Sequence, residues 1–133
     1  MDLHDAREHV RRHHHAVLLT TRRDGAPQMS PVLAGVDLEG RVLVSAQRRS
    51  AKVHNLLRDP RAWLCVFPEH FYGAWVQVGG RVEVLQGEAA LAPLEDYYRS
   101  VSGEHPDWAA YREAMVEDER VLLRLRLESA GPG

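Results

Sequence analysis

The sequence predicts one α+β domain built on a six-stranded antiparallel β-barrel with short flanking helices, and three observations carry that prediction. Short β-rich runs recur from residue 15 to residue 127. The early ones are separated only by tight turn signals, Asp24-Gly25 and Asp37-Leu38-Glu39-Gly40, which join them as hairpins. The helical stretches are few and short, so a sheet closed or half-closed on itself is the way to bury the strands. Closure also removes exposed strand edges.

Each element has its own signal. Leu3, Ala6 and Val10 stand at helical spacing among charged residues, which makes a short amphipathic first helix. Residues 15–21, His-Ala-Val-Leu-Leu-Thr-Thr, suit a buried strand. The chain returns over residues 28–36 as a second strand and over residues 41–45 as a third. From residue 49 to 59 the period changes to that of a helix through Ala51, Val53, Leu56 and Leu57, and Pro60 ends it. Residues 61–67 form a β-rich run and residues 74–86 a long alternating one. Gly79-Gly80 interrupts the latter, where a bulge or sharp bend is expected. Helical pieces follow over residues 88–102 and 106–117, the second opened by Pro106-Asp107. Val121, Leu123, Leu125 and Leu127 alternate along a last strand, residues 120–127.

Composition bounds the function. A chain of 133 residues that is 44% hydrophobic fits a single globular domain over its whole length, residues 1–133. A net charge of −2 gives no nucleic-acid footprint. No apolar run is long enough to span a membrane, and the acidic start Met1-Asp2-Leu3-His4-Asp5 lacks the pattern of a signal peptide. The single cysteine, Cys65, cannot form an internal disulfide and reads as a small buried hydrophobe. The expected compartment is the cytoplasm. A barrel this small has a thin core, so burial of one face against a twofold partner is also expected.

The chemistry concentrates after the third strand. Among 17 basic residues only Lys52 is a lysine. It lies in Ser45-Ala46-Gln47-Arg48-Arg49-Ser50-Ala51-Lys52-Val53-His54-Asn55, where a strand end and a basic loop lead into a helix. Helix N-termini offer free N–H groups and partial positive charge to a phosphate. Arg49, Lys52 and Asn55 stand three residues apart along one side of the first turns. With the Ser50 hydroxyl they make either an anion cradle or a solvated helix face with a serine cap. His9 and His13 are spaced as a metal pair but have no acidic or cysteine third ligand beside them, so no metal is expected. No glycine-rich phosphate loop, nucleophile elbow or paired-carboxylate arrangement is evident.

Two motifs extend this reading. Thr20-Thr21-Arg22-Arg23-Asp24-Gly25-Ala26-Pro27-Gln28-Met29-Ser30 resembles the first hairpin of the pyridoxamine 5'-phosphate oxidase-like split-barrel superfamily. Ser45, Lys52, Asn55-Leu56 and Asp59-Pro60 fall at the offsets of its following motif. Tyr98-Arg99-Ser100-Val101-Ser102-Gly103-Glu104-His105-Pro106-Asp107-Trp108 and Tyr111-Arg112-Glu113-Ala114-Met115 resemble the C-terminal module of actinobacterial members that bind the deazaflavin coenzyme F-420. The likeness runs over residues 17–127.

It implies an FMN-binding split-barrel type of fold and a homodimer with cofactor pockets at the interface. Lys52 and Asn55 match positions that hold the cofactor phosphate, and Ser45, Arg49 and Ser50 lie in the same segment. Ser30 and Val32 lie on the strand beside the tricyclic ring. Trp75 and Gln77 resemble positions that close the pocket, often from the second protomer. Relatives often carry arginine where Ser50 stands, which shifts the clamp here onto Arg49, and the family's aromatic C-terminal segment has no counterpart after Leu127.

The implied activity is hydride transfer from reduced coenzyme F-420 to a small unsaturated or conjugated substrate, with no catalytic acid or base assigned. The alternatives are an FMN-binding oxidase or reductase of the same superfamily and a non-catalytic cofactor carrier.

Overall fold

The computed structural model describes residues 1–132. In chain order the elements are α1 (Leu3–Arg12), β1 (His15–Thr21), β2 (Pro27–Leu33), β3 (Gly35–Val36), β4 (Val42–Gln47), α2 (Ala51–Arg58), β5 (Arg61–Val66), β6 (Val76–Leu85), α3 (Leu91–Ser102), α4 (Trp108–Glu117) and β7 (Arg120–Gly131). A 3-10 turn, Gly87–Ala90, leads into α3. One sheet holds every strand in the order β2-β1-β5-β6-β7-β4-β3, and all its pairings are antiparallel.

The sheet has seven strands rather than six. The run expected as one strand over residues 28–36 breaks at Ala34, and its two pieces lie at opposite edges of the sheet. The physical cause is local. Ala34 N–H donates to the His14 carbonyl at 2.8 Å, and the Ala34 carbonyl meets His14 Nδ1 at 2.8 Å. Both peptide groups of Ala34 are thus tied to the chain just before β1, and the backbone bends there from one edge to the other. β2 and β3, consecutive in sequence, thereby carry the curled sheet across its own opening, and β2 runs alongside β4. The result is the split-barrel form.

The expected irregularity at Gly79-Gly80 is present as a register shift between β6 and β7: Gly79 pairs with Ser129 and Gly80 with Leu127. A side chain at Gly80 would collide with the Arg126 carbonyl oxygen, so the bulge requires glycine. β7 also runs on to Gly131, past the expected end at Leu127.

Alternation sends Ala16, Leu18, Val44, Ala46, Leu64, Val78, Val121 and Leu123 into the barrel. Two helices plug it. α1 contributes Ala6 and Val10 to this core, and α2 contributes Val53 and Leu56. A second cluster forms on the outer face of β4 and β7, where Leu43 and Leu122 meet Ala90, Leu94 and Tyr111. Tyr98 meets His105, Trp108 and Tyr111 edge-on, as Trp108 meets Tyr111. His105 lies tilted against Trp108, and the Tyr111 hydroxyl donates to the Leu94 carbonyl at 2.9 Å. The C-terminal motif read from sequence is therefore a packed aromatic subcore.

The outer face of β2, β1, β5 and β6 is built differently. Cross-strand partners there are Met29 with Leu19, Pro31 with Val17, Leu19 with Trp63, and Val17 with Cys65. Met29 is 62% exposed and Leu33 42% exposed. Among the described residues the side chains of this face belong to neither core cluster.

Candidate functional site

The turn from β4 into α2 sets the site. Ser50 N–H donates to the Gln47 carbonyl at 3.0 Å, which closes the turn, and Ser50 occupies the N-cap position with extended backbone. Its hydroxyl does not cap the helix. The Ser50 Oγ is buried without a hydrogen-bond partner among the described residues. A polar atom left in that state costs about 1–3 kcal/mol, which an oxygen of a bound ligand or water would offset. The first turn of α2 also holds no acidic side chain, and the helix N-terminus keeps its full attraction for an anion.

Lys52 is half-buried and has no ion-pair partner among the described residues. Burial, and secondarily the charge of Arg120, lower its pKa. Arg49 is exposed, also without an ion pair, and its charge contributes to holding Asp118 low. Two cations without a direct ion pair among the described residues therefore stand at the start of α2, an arrangement that suits an anion.

Asn55 is placed differently from Lys52. It is buried; its Nδ2 donates to Thr20 Oγ1 at 3.1 Å, and its Oδ1 accepts from Arg58 at 3.4 Å. Thr20 Oγ1 in turn donates to Gln28 Oε1 at 3.4 Å. This chain of contacts fastens α2 to β1 and β2. The amide's role in this structure is to orient the helix that carries Lys52.

Ser30 and Val32 lie on β2 opposite Leu18 and Ala16, on the strand face that turns toward the barrel. Val32 packs on the main core, and Ser30 Oγ is a second buried hydroxyl without a partner among the described residues. Ser45 on β4 pairs with Leu122, so it shares the outer face with Leu43 and Gln47. The Tyr97 hydroxyl of α3 donates to the Leu33 carbonyl at 3.1 Å and ties that helix to the end of β2. Burial raises the Tyr97 pKa, which keeps the phenol neutral.

Trp75 and Gln77 fall elsewhere. Gln77 pairs with Gly131 at the far end of β7, whereas Gln47, next to the α2 turn, pairs with Arg120 at its start. β7 has 12 residues, or about 40 Å at roughly 3.3 Å per residue. Within one protomer the two groups thus pair with opposite ends of β7. Both Trp75 and Gln77 are exposed. Trp75 borders a cleft of about 540 Å³ with Pro68, Val76 and the α1 residues His9, Arg12 and His13. No three His, Cys, Asp or Glu side chains form a metal-holding group among the described residues.

Sequence reasoning passed over Arg120. Along the last strand it registered the alternating apolar residues and not the arginine that begins the strand. Only the pairing of Arg120 with Gln47 reveals that it stands beside the α2 turn.

With this geometry in hand, comparison with known proteins is direct. Residues 3–131 match the pyridoxamine 5'-phosphate oxidase family. The chain belongs to that family. A conserved hypothetical protein of Mycobacterium tuberculosis has the same fold at a TM-score of 0.77 and 21% identity, over 98% of this chain and 82% of that one. An F420 reductase aligns at a TM-score of 0.69 and 21% identity, over 93% and 94% of the two chains. A pyridoxamine 5'-phosphate oxidase-related, FMN-binding protein of Nostoc punctiforme aligns at 0.67 and 15% identity, over 96% and 81%. At these identities the structural likeness speaks for the fold. No helix among the described residues is long and apolar enough to cross a membrane.

Proposed function

We propose that this family member is an oxidoreductase that holds coenzyme F-420 by its phosphate at the start of α2 and delivers hydride from it to a small unsaturated or conjugated substrate. The observation that carries the reading is the combination at the α2 turn: Lys52 and Arg49 without carboxylate partners, and the Ser50 hydroxyl buried and unpartnered. The orphaned hydroxyls of Ser50 and Ser30 fit a bound phosphate-bearing ring cofactor. When bound, the deazaflavin would supply the hydride chemistry. Lys52, Arg49 and Ser50 would hold its phosphate, Ser45 would line the same segment, and Ser30 and Val32 would flank its ring.

The same reading makes the protein a homodimer. The bare apolar face of β2, β1, β5 and β6 favours a second copy as its cover. A twofold partner would also bring Trp75 and Gln77 of one protomer to the α2 end of the other, whereas within one chain they lie toward the opposite end of β7.

FMN is the second reading, favoured by the same phosphate-binding groups. Protein made in a host that lacks deazaflavin separates the two. It should emerge colourless and bind added F-420 more tightly than FMN. Yellow protein carrying stoichiometric FMN would decide for the alternative, and tight cofactor binding with no turnover of any acceptor would decide for a carrier. Light scattering should find twice the mass of the 15.1 kDa chain.

A further inference from the structure

We infer that Arg120 is a direct ligand of the anion held at the α2 turn, and that Asp118 positions it. The inference rests on the phosphate reading of that turn and deepens it.

Arg120 opens β7 directly opposite Gln47, the last residue of β4. Alternation along β7 sends Val121 into the barrel and leaves Arg120 on the outer face with Leu122, the face that Gln47 and Ser45 share across the pairing. The turn carrying Ser50 and Lys52 leaves from Gln47. It is held on the start of β7 by the Arg48 N–H, which donates to the Glu119 carbonyl at 3.0 Å, and by an ion pair between Arg48 and Glu119.

Asp118 binds both sides of this junction. Its Oδ2 accepts from Arg120 Nε at 2.7 Å, and its Oδ1 accepts from Gln47 Nε2 at 3.0 Å. Only the Nε of Arg120 is used in this way. Its two terminal nitrogens make no hydrogen bond among the described residues, and the side chain is 32% exposed. The forked end of a guanidinium, which suits two oxygens of one phosphate, is therefore left without a protein hydrogen bond among the described residues.

Its nearest relation to the site is electrostatic. Arg120 lies close enough to Lys52 to disfavour the ammonium, and no carboxylate answers Lys52. Asp118 answers the charge of Arg120 alone, through its Nε, so the cluster keeps an excess of positive charge that a bound anion would offset. Lys52 belongs to α2 and Arg120 to β7, the two elements joined to the Gln47–Ser50 turn by sequence and by strand pairing. A phosphate there would meet a point charge on one side and a fork on the other.

The test measures binding of F-420 and of inorganic phosphate to the full-length protein by calorimetry, and follows the Lys52 ammonium by NMR titration. Arg120→Gln should weaken F-420 by about tenfold or more and weaken phosphate with it, while the Lys52 pKa rises toward its ordinary value. Arg120→Lys, which keeps the charge and loses the fork, should recover part of the affinity. Asp118→Asn should cost less, a few-fold, because the fork is still present but no longer aimed. If Lys52→Ala weakens both ligands and neither Arg120 variant does, Arg120 is only a tie between β4 and β7 and the inference fails while the site stands. If Lys52→Ala and the Arg120 variants all bind as wild type does, the phosphate reading itself is wrong. Should Arg120→Gln fail to fold, the Arg120→Lys measurement alone decides: affinity unchanged from wild type overturns the fork's role.

Discussion

Two helices plug the same barrel, and their N-termini are finished in opposite ways. α1 and α2 each place two apolar residues in the core, Ala6 and Val10 on one, Val53 and Leu56 on the other. At α1 the cap is complete: Asp2 accepts from the Asp5 N–H at 2.8 Å, and Asp5 adds an acid to the first turn. At α2 the cap serine makes no cap bond, the first turn holds no acid, and Lys52 stands there instead. The first arrangement satisfies the helix from within the chain. The second gives up that stabilisation and leaves a positive helix end open to an anion. The comparison teaches that a cap can be read as a functional signal: a plug helix whose own sequence declines to cap it is where a ligand is to be sought.

The largest expected effect lies at the open end. Lys52→Ala should weaken F-420 binding by on the order of 10–150-fold, as loss of a charge-assisted contact of roughly 1.5–3 kcal/mol implies. Stability should hardly change, since Lys52 has no ion-pair partner to lose. Fluorescence titration of the cofactor, alongside thermal unfolding, measures both. A variant that binds as wild type does would remove the functional half of the comparison.

The structural half is tested in the plugs. Val10→Ala and Val53→Ala should each destabilise the protein by about 2 kcal/mol, from roughly 0.8 kcal/mol per buried methylene plus a cavity term. Both residues are fully buried. Urea unfolding should show similar losses, because as plugs the helices are alike. A loss at α1 and none at α2 would mean that α2 is held by its polar fastening to Thr20 and not by packing.

Cap substitutions sharpen the contrast more gently. Asp2→Ala should cost about 1 kcal/mol of stability and leave cofactor affinity alone. Ser50→Ala should do the reverse: little or no loss of stability, since no cap bond is broken and an unpaired buried hydroxyl is removed, with a several-fold loss of affinity. Equal stability losses at the two positions would show that Ser50 caps α2 in solution.

How much of this was legible beforehand follows from what each feature depends on. The barrel strands and the Gly79-Gly80 irregularity rest on local alternation and turn chemistry, and they were read correctly. The break at Ala34 was not, because alanine carries no turn signal; the bend comes from bonds to His14, which pairing in space creates. The α2 turn was legible as a basic helix start. Asn55 was read from its spacing as part of the cradle; its bond to Thr20, 35 residues away in sequence, is a contact that no local pattern records. The place of Arg120 depends on the β4–β7 register, which no local pattern records. The C-terminal aromatic motif was legible as a likeness, and its packing role became visible only when Tyr98, Trp108 and Tyr111 were found around one cluster.

The smallest effect concerns the closed end and acid. His9 is buried in α1, 8% exposed, and its Nε2 has no partner among the described residues. Burial first, then the charges of His13 and Arg12, push its pKa below the ordinary 6.5. The folded protein therefore resists a proton that the unfolded chain accepts, so stability is lost as pH falls below about 6.5 and the loss levels off below the folded pKa. The same cleft is bordered by the Met1 terminus and by Asp5 and Glu8 of α1, and among the described residues its opposing wall is Pro68, Gly73, Ala74, Trp75, Val76 and Pro132. Among the described residues that wall carries no charged side chain. Urea midpoints at pH 7.5 and 5.5 should show a shallow decrease toward acid that His9→Gln reduces. The window excludes the carboxylates whose folded pKa is depressed, such as Asp59 at about 2, because their contribution is lost only as pH drops through more acidic values. Amide exchange should locate the acid effect in α1 and spare α2. Exchange that quickens equally in both helices would mean that the two plugs open together, and the contrast between them would then be confined to ligand binding.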